Sequence, residues 1–242
     1  LPAGQYRAIW DVGGVDELIV DPSNTSGAVV DLRPASITYA WGGGGFVSYL
    51  RGGLGGFTIA AGAEIENATG GAGRDSLTGN TLANNLSGAG GDDWLDGGAG
   101  NDRLDGGAGA DTASYATASA GVSVSLLLAG SAQATGGAGA DTLLSIENLA
   151  GSLFDDVLIG DALSNALAGG AGDDLLDGGA GTDTASFASE TMAIFAHLGW
   201  GYAAGTAFLG VGAANIGEDT LIAIENLTGG SGNDILIAGD LA

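Results

Sequence analysis

Carboxylates return along this chain at a counted interval. From Gly70 the sequence divides without a gap into the nonapeptides GGAGRDSLT, GNTLANNLS, GAGGDDWLD, GGAGNDRLD and GGAGADTAS. From Gly151 it divides into GSLFDDVLI, GDALSNALA, GGAGDDLLD and GGAGTDTAS, and GGSGNDILI begins at Gly229. The sixth position is Asp75, Asn84, Asp93, Asp102 and Asp111 in the first run. It is Asp156, Asn165, Asp174 and Asp183 in the second and Asp234 in the third. One side-chain oxygen donor per nonapeptide, set among glycines that leave carbonyls unshielded, suits a hard divalent cation. Ca2+ takes roughly six to eight oxygens and mixes carboxylates with backbone carbonyls.

Such donors have to be stacked by something. Position eight is Leu77, Leu86, Leu95, Leu104 and Ala113, then Leu158, Leu167, Leu176 and Ala185, then Leu236. The residues around it read as a very short strand with one side chain facing a core. Gly at positions one, two and four permits positive φ and hence a tight turn. Two nonapeptides make one coil, so each repeat lies parallel on the repeat two places before it. A single coil cannot hold itself together, whereas several stacked coils can. Stacking puts Asp75, Asp93 and Asp111 in one column and Asn84 and Asp102 in the other. Neighbours in a column are then about one strand spacing apart, roughly 4.8 Å. Unit charges that close repel by about 1 kcal/mol even in bulk water. The chain has no Lys and only Arg7, Arg33, Arg51, Arg74 and Arg103 to set against them. A divalent cation between adjacent turns removes the repulsion. The expected fold is all-β: a parallel β-roll (β-solenoid) with calcium between successive turns.

Composition narrows the function. The 242 residues carry 5 Lys plus Arg against 29 Asp plus Glu, a net charge of −24. Nothing neutralises phosphates, so nucleic acid is excluded as a partner, and anionic membrane surfaces repel the chain. No apolar run is long enough to span a bilayer. Cys is absent, so there is neither a disulfide framework nor a thiolate metal site. The 49 Gly follow no three-residue period, which excludes collagen. Gly42–Gly45 lacks the Lys-Ser/Thr of a phosphate loop. The first residues, Leu1-Pro2-Ala3, read as the start of a processed or partial chain.

GGxGxDxLx, as it stands at Gly97–Asp105 and Gly169–Asp177, resembles the calcium-binding nonapeptide of RTX proteins. The resemblance implies that the six-residue turns bind several Ca2+ ions through the position-six side chains and turn carbonyls. The turn residues concerned are Gly88 and Gly90; Gly97, Gly98, Ala99 and Gly100; Gly106, Gly107, Ala108 and Gly109; Gly169, Gly170, Ala171 and Gly172; and Gly178, Gly179, Ala180 and Gly181. It also implies type I secretion and folding outside the cell, at an extracellular or cell-surface location. Ile-Glu-Asn occurs three times, and each Glu lies nine residues before the first Asp of its run. Glu66, Glu147 and Glu225 are therefore expected as ligands at the leading end of each roll, stacked near Asn84 and Asn165. Residues 8–18, with Trp10-Asp11-Val12-Gly13-Gly14-Val15-Asp16, resemble the start of the C-terminal domain of serralysin-type secreted metalloproteases. The zinc motif of that family needs two His, and His197 is the chain's one His. No catalytic constellation can be assembled by spacing, so the chain is read as non-enzymatic. The alternatives are a segment of an adhesive or structural surface protein, with a protein or cell-surface partner, and the non-catalytic tail of a serralysin-like protease.

The expected organisation is an N-terminal β segment over residues 1–64, rolls over 65–116 and 141–188, and the start of a third over 219–242. Residues 117–140 and 189–218 are inserts of hairpins or edge strands, and the whole reads as one elongated domain. Acids at positions five and nine, namely Asp92, Asp96, Asp105, Asp173 and Asp177, are expected in solvent. Trp10, Trp41 and Trp200 are expected to pack or cap. Trp94, at position seven, is the best candidate for an exposed contact.

Overall fold

The computed structural model describes residues 6–9, 13–34, 48–51, 56–200, 202–205 and 217–238. Trp10, Asp11, Trp41 and Gly42–Gly45 lie outside the described residues, as does the side chain of Trp200. Among the described residues the regular structure is short β-strand, with single 3-10 turns at Leu126–Leu128 and Leu198–Trp200. No helix is long and apolar enough to cross a membrane. The chain forms two compact units. One comprises residues 1–113, 130–132 and 139–146; the other comprises residues 114–129, 133–138 and 147–242.

Each nonapeptide contributes a strand of three residues, positions seven to nine, because the six before it are consumed by the turn. Adjacent side chains on a strand point to opposite faces, so position eight alone points inward. In the first unit one parallel ladder runs Glu17–Ile19, Asn67–Thr69, Asn85–Ser87, Arg103–Asp105 and Gly139–Leu144. The other runs Ala28–Asp31, Ser76–Thr78 and Trp94–Asp96, and Thr112 N–H continues it to Asp93 O at 2.8 Å. Tyr49–Leu50 closes its edge antiparallel to Ala28 and Val29. The register is eighteen residues per coil: Leu77 pairs with Leu95, and Leu86 with Leu104.

The second unit repeats the scheme. One ladder is Asn148–Ala150, Ala166–Ala168, Thr184–Ser186 and Asn226–Thr228. The other is Ser123–Ser125, Val157–Ile159, Leu175–Asp177 and Glu218–Ile222. Glu218–Ile222 then pairs antiparallel with Tyr202–Gly205, which pairs antiparallel with Ile194–His197, and Ile235–Ile237 lies parallel on the last. The alternation over Gly121–Leu126 thus becomes a strand with Val124 buried.

The core is a row of position-eight side chains. Leu77, Leu86, Leu95, Leu104 and Leu143 are fully buried in the first unit, and Leu158, Leu167 and Leu176 in the second. Each contributes about 1.5–3 kcal/mol of burial. Leu236 departs from this at 39% exposure, because no described strand covers the outer side of Ile235–Ile237.

Candidate metal centre

Position six is held the same way in nearly every coil. Its Oδ1 accepts the main-chain N–H of the equivalent residue one coil earlier. Asp75 N–H donates to Asp93 Oδ1 at 2.7 Å, Asp93 N–H to Asp111 Oδ1 at 2.7 Å and Asn84 N–H to Asp102 Oδ1 at 2.8 Å. In the second unit Asp156 N–H donates to Asp174 Oδ1 at 2.9 Å and Asn165 N–H to Asp183 Oδ1 at 2.8 Å. These bonds lock each side chain against the preceding coil. They leave the second oxygen, Oδ2 in Asp, to be accounted for, and the turns do this in two ways.

The first coil of each run is closed on itself. Asp75 Oδ2 accepts Gly71 N–H, and Asn84 Oδ1 accepts Asn80 N–H at 2.8 Å. Asp156 Oδ2 accepts Ser152 N–H, and Asn165 Oδ1 accepts Asp161 N–H at 2.8 Å. Three of these turns gain a second local bond, from the N–H of Leu82, Phe154 and Leu163 to the side chains of Asn80, Ser152 and Asp161. Short polar side chains at such positions stabilise turns without left-handed backbone, and none of the four turns has a positive φ.

The following turns are open. Positions two and four are left-handed in all of them: Ala89 and Gly91, Gly98 and Gly100, Gly107 and Gly109, Gly170 and Gly172, Gly179 and Gly181. The position-two N–H no longer reaches the carboxylate. Asp93, Asp102, Asp174 and Asp183 are each at most 2% exposed, and the Oδ2 of each is buried without a hydrogen-bond partner. An isolated carboxylate oxygen in that state is costly. Burial accordingly pushes the carboxyls of Asp93, Asp102 and Asp174 up to about 7, and neighbouring carboxylates add to the effect: Asp111 and Asp75 on Asp93, Asp141 on Asp102, Asp156 on Asp174. In Asp75 and Asp156 burial also raises the carboxyl, but the turn N–H groups oppose it.

Position-one glycine does something other than expected. Its φ is not positive in Gly88, Gly97, Gly106, Gly169 or Gly178. It is Gly because a side chain there would collide with the turn's own carboxylate. A Cβ on Gly88 would meet Asp93 Oδ2 and stand 2.6 Å from Gly106 O of the next coil. On Gly97 it would meet Asp102 Oδ2, and on Gly169 it would meet Asp174 Oδ2. The space thus kept is bordered by carboxylate and carbonyl oxygens, the donor types of a calcium site. Among the described residues no three Asp, Glu or His side chains converge, so carbonyls have to supply the remaining donors. The two ion pairs found there, Arg33–Asp31 and Arg103–Asp105, lie outside the carboxylate columns.

Two of the leading glutamates, Glu66 and Glu225, join the columns through their side chains. Glu66 Oε2 accepts Asp16 N–H at 2.8 Å, and Glu225 Oε2 accepts Asp183 N–H at 2.8 Å, as an Asp would. Asn84 and Asn165 stack on Glu66 and Glu147, donating to their main-chain oxygens at 2.9 and 2.8 Å. Asp234 is only half-buried, with Oδ1 accepting Ile194 N–H at 3.1 Å. Two column members escaped the reading by runs. Asp141 Oδ1 accepts Asp102 N–H at 2.9 Å, and Asp219 Oδ1 accepts Asp174 N–H at 3.1 Å. Burial pushes Asp219 to about 8, with Asp174 and Asp173 adding to it. The signal was present: GGAGADTLL from Gly136 is a full nonapeptide, and Gly217-Glu218-Asp219-Thr220-Leu221 holds positions four to eight of another.

Among the acids expected in solvent, Asp96 is buried instead, at 5% exposure. It lies near the Arg33 guanidinium, whose charge it helps to stabilise, and Oδ1 accepts Gly98 N–H at 3.0 Å. Asp92 and Asp173 are exposed as expected, and Asp105 and Asp177 are half-buried. Trp94 is 40% exposed on the sheet face.

The RTX calcium-binding nonapeptide repeat matches the chain in four copies, at residues 61–81, 78–113, 150–185 and 222–240. No curated protein matches the chain. The repeat binds Ca2+, and the four copies correspond to several ions. The matched segments cover the closed coils and the open turns, so by register, fold and donor set these segments are RTX calcium-binding nonapeptide repeats.

Proposed function

We propose that this chain is the calcium-triggered folding module of a secreted bacterial protein, exported by a type I system and ordered outside the cell. Calcium is held at the five open turns. Asp93, Asp102, Asp111, Asp174 and Asp183 would hold it through their carboxylates, and the left-handed turns around them would contribute carbonyls. The closed turns of Asp75, Asn84, Asp156 and Asn165 already satisfy the turn-facing oxygen of their sixth residue and stand outside the ion set. The carrying observation is the buried, unpartnered Oδ2 of Asp93, Asp102, Asp174 and Asp183.

Bound calcium supplies the positive charge that no side chain of the columns provides. The chain's own residues do the rest: Oδ1–amide bonds orient each carboxylate, position-one glycine keeps the space clear, and the leucine row joins one coil to the next. Metal bound only by the folded state adds to its stability by mass action. A chain of charge −24 with one inward side chain per strand stays extended without it. The role is structural, with no catalysis by these residues. Circular dichroism tests the reading: EDTA is expected to give a coil spectrum and millimolar calcium a cooperative return of β signal. Equal β signal in both would overturn it.

A further inference from the structure

One cleft of the first unit opens beside a closed turn, away from the open turns. It is lined by Arg51, Arg74, Asp75, Ser76 and Trp94. Three of these residues depart from the repeat. Arg74 is at position five, where the other repeats carry Ala, Asp, Asn, Ser or Thr. Trp94 is at position seven, next to Ser76 in the ladder. The small serine leaves the indole uncovered on that side. Arg51 arrives from outside the repeats, placed at the sheet edge by its N–H to Gly27 O at 2.9 Å.

The charges are placed against the trend of the chain. Of five Arg, two are paired to acids two residues away, Arg33 to Asp31 and Arg103 to Asp105. Arg51 and Arg74 are exposed, and neither is in those pairs. The carboxylate in the cleft wall forms no ion pair with either: Asp75 is fully buried, its two oxygens accept Ala28 and Gly71 N–H, and Arg51 acts on it through charge alone. Two guanidinium groups and an uncovered indole therefore face one opening.

We infer that Arg51, Arg74 and Trp94 form a binding site for an acidic sugar, a uronate residue of a glycan. Guanidinium groups bind a carboxylate through paired N–H donors. The indole offers an apolar face of the size of a pyranose ring, with its N–H free to bond at the edge. The surrounding negative charge selects sparse charge on the ligand: a phosphate on every unit is repelled, whereas one carboxylate per disaccharide is screened from the rest of the surface at physiological salt. The site needs the folded first unit, and so rests on the calcium reading only for its scaffold.

Isothermal titration of the calcium-loaded chain with an oligosaccharide of alternating glucuronate and N-acetylhexosamine tests this, with a neutral oligosaccharide of equal length and inorganic sulfate alongside. Circular dichroism of each variant in calcium, recorded first, separates a loss of the site from a loss of folding. The acidic oligosaccharide is expected to bind about tenfold or more tighter than the neutral one, and Arg51→Gln with Arg74→Gln to remove that difference. Trp94→Ala is expected to weaken binding about tenfold, with Trp94→Phe recovering part of it. Equal binding of both oligosaccharides, retention of affinity in the arginine variant, or binding of sulfate alone would overturn the proposal.

Discussion

The first coil of each run and the turns after it share the nonapeptide period, the three-residue strands and a buried apolar side chain at position eight, yet they balance their carboxylates differently. In residues 70–87 and 151–168 the position-six oxygen is bonded by the N–H of its own turn. In residues 88–113 and 169–187 the left-handed backbone at positions two and four turns that N–H away and leaves Oδ2 of Asp93, Asp102, Asp174 and Asp183 bare. A turn with its own donor is complete, and a turn without one requires a cation. Calcium dependence is thus a property of individual turns, set by backbone handedness as much as by the presence of Asp.

The largest consequence concerns metal removal. With calcium lowered to partial saturation, where the chain is still folded, hydrogen exchange followed by mass spectrometry is expected to show protection falling by about a hundredfold or more over 88–113 and 169–187, since local opening follows local stability. Residues 70–87 and 151–168 are expected to lose less. Uniform loss across all four segments would erase the distinction between the two kinds of turn.

Gly98→Ala probes the handedness itself. Gly98 has φ +82°, and an added Cβ would meet Asn80 O. Strain in such a position costs about 1–3 kcal/mol, and calcium affinity at the neighbouring Asp102 should fall with it. Asn80→Ala is the matching change in a closed turn. It removes the acceptor of Leu82 N–H at 2.8 Å and the buried donor to Ile65 O at 2.8 Å, a loss of about 1–3 kcal/mol. Calorimetry should show an unchanged number of calcium ions for Asn80→Ala and weaker binding for Gly98→Ala.

The amino-acid sequence shows most of this fold and only part of the site. The nonapeptide count places the strands and the leucine row, because the period is a property of the chain. It does not separate open from closed turns. GGAGRD at Gly70 has the full glycine pattern and is closed, because it stacks on residues 21–27, a non-repeat segment, with Ala72 N–H on Asn24 O at 3.0 Å. GGSGND at Gly229 likewise meets Glu190, and Ser231 N–H bonds Glu190 O at 2.9 Å. The neighbouring coil selects the conformation, and that neighbour is distant in sequence. Asp141 and Asp219 were legible by register alone, but they stand at the first residues of the second and third rolls, ahead of the runs counted from Gly151 and Gly229.

Acidity distinguishes the two kinds of turn from another side. Burial in the folded chain holds Asp93, Asp102 and Asp174 at about 7 and Asp219 at about 8, against an ordinary value of 3.8. The folded state therefore keeps protons that the unfolded state releases between those values. The stability these groups contribute is fully present below 3.8 and is lost as pH rises through about 7 to 8. In EDTA the β signal should be greater near pH about 5.5 than at about 8, because a proton on Oδ2 stands in for the cation. Calcium binding near pH about 7 should release protons, seen as buffer-dependent heats. No dependence on pH in EDTA would mean the bare oxygens are balanced by something else.

The smallest effect isolates one residue. Ala89 is a position-two residue with φ +69° in an open turn, a conformation in which its four equivalents are glycines: Gly98, Gly107, Gly170 and Gly179. An L side chain there costs about 1–2 kcal/mol, partly offset in a glycine variant by the greater freedom of its unfolded chain. Ala89→Gly should therefore stabilise the calcium-loaded chain by about 0.5–1 kcal/mol, read as a rise in the thermal midpoint. Ala108→Gly, at position three without positive φ, gains no relief from strain and should lower the midpoint. If both substitutions move it the same way, the left-handed backbone at position two is not what opens these turns.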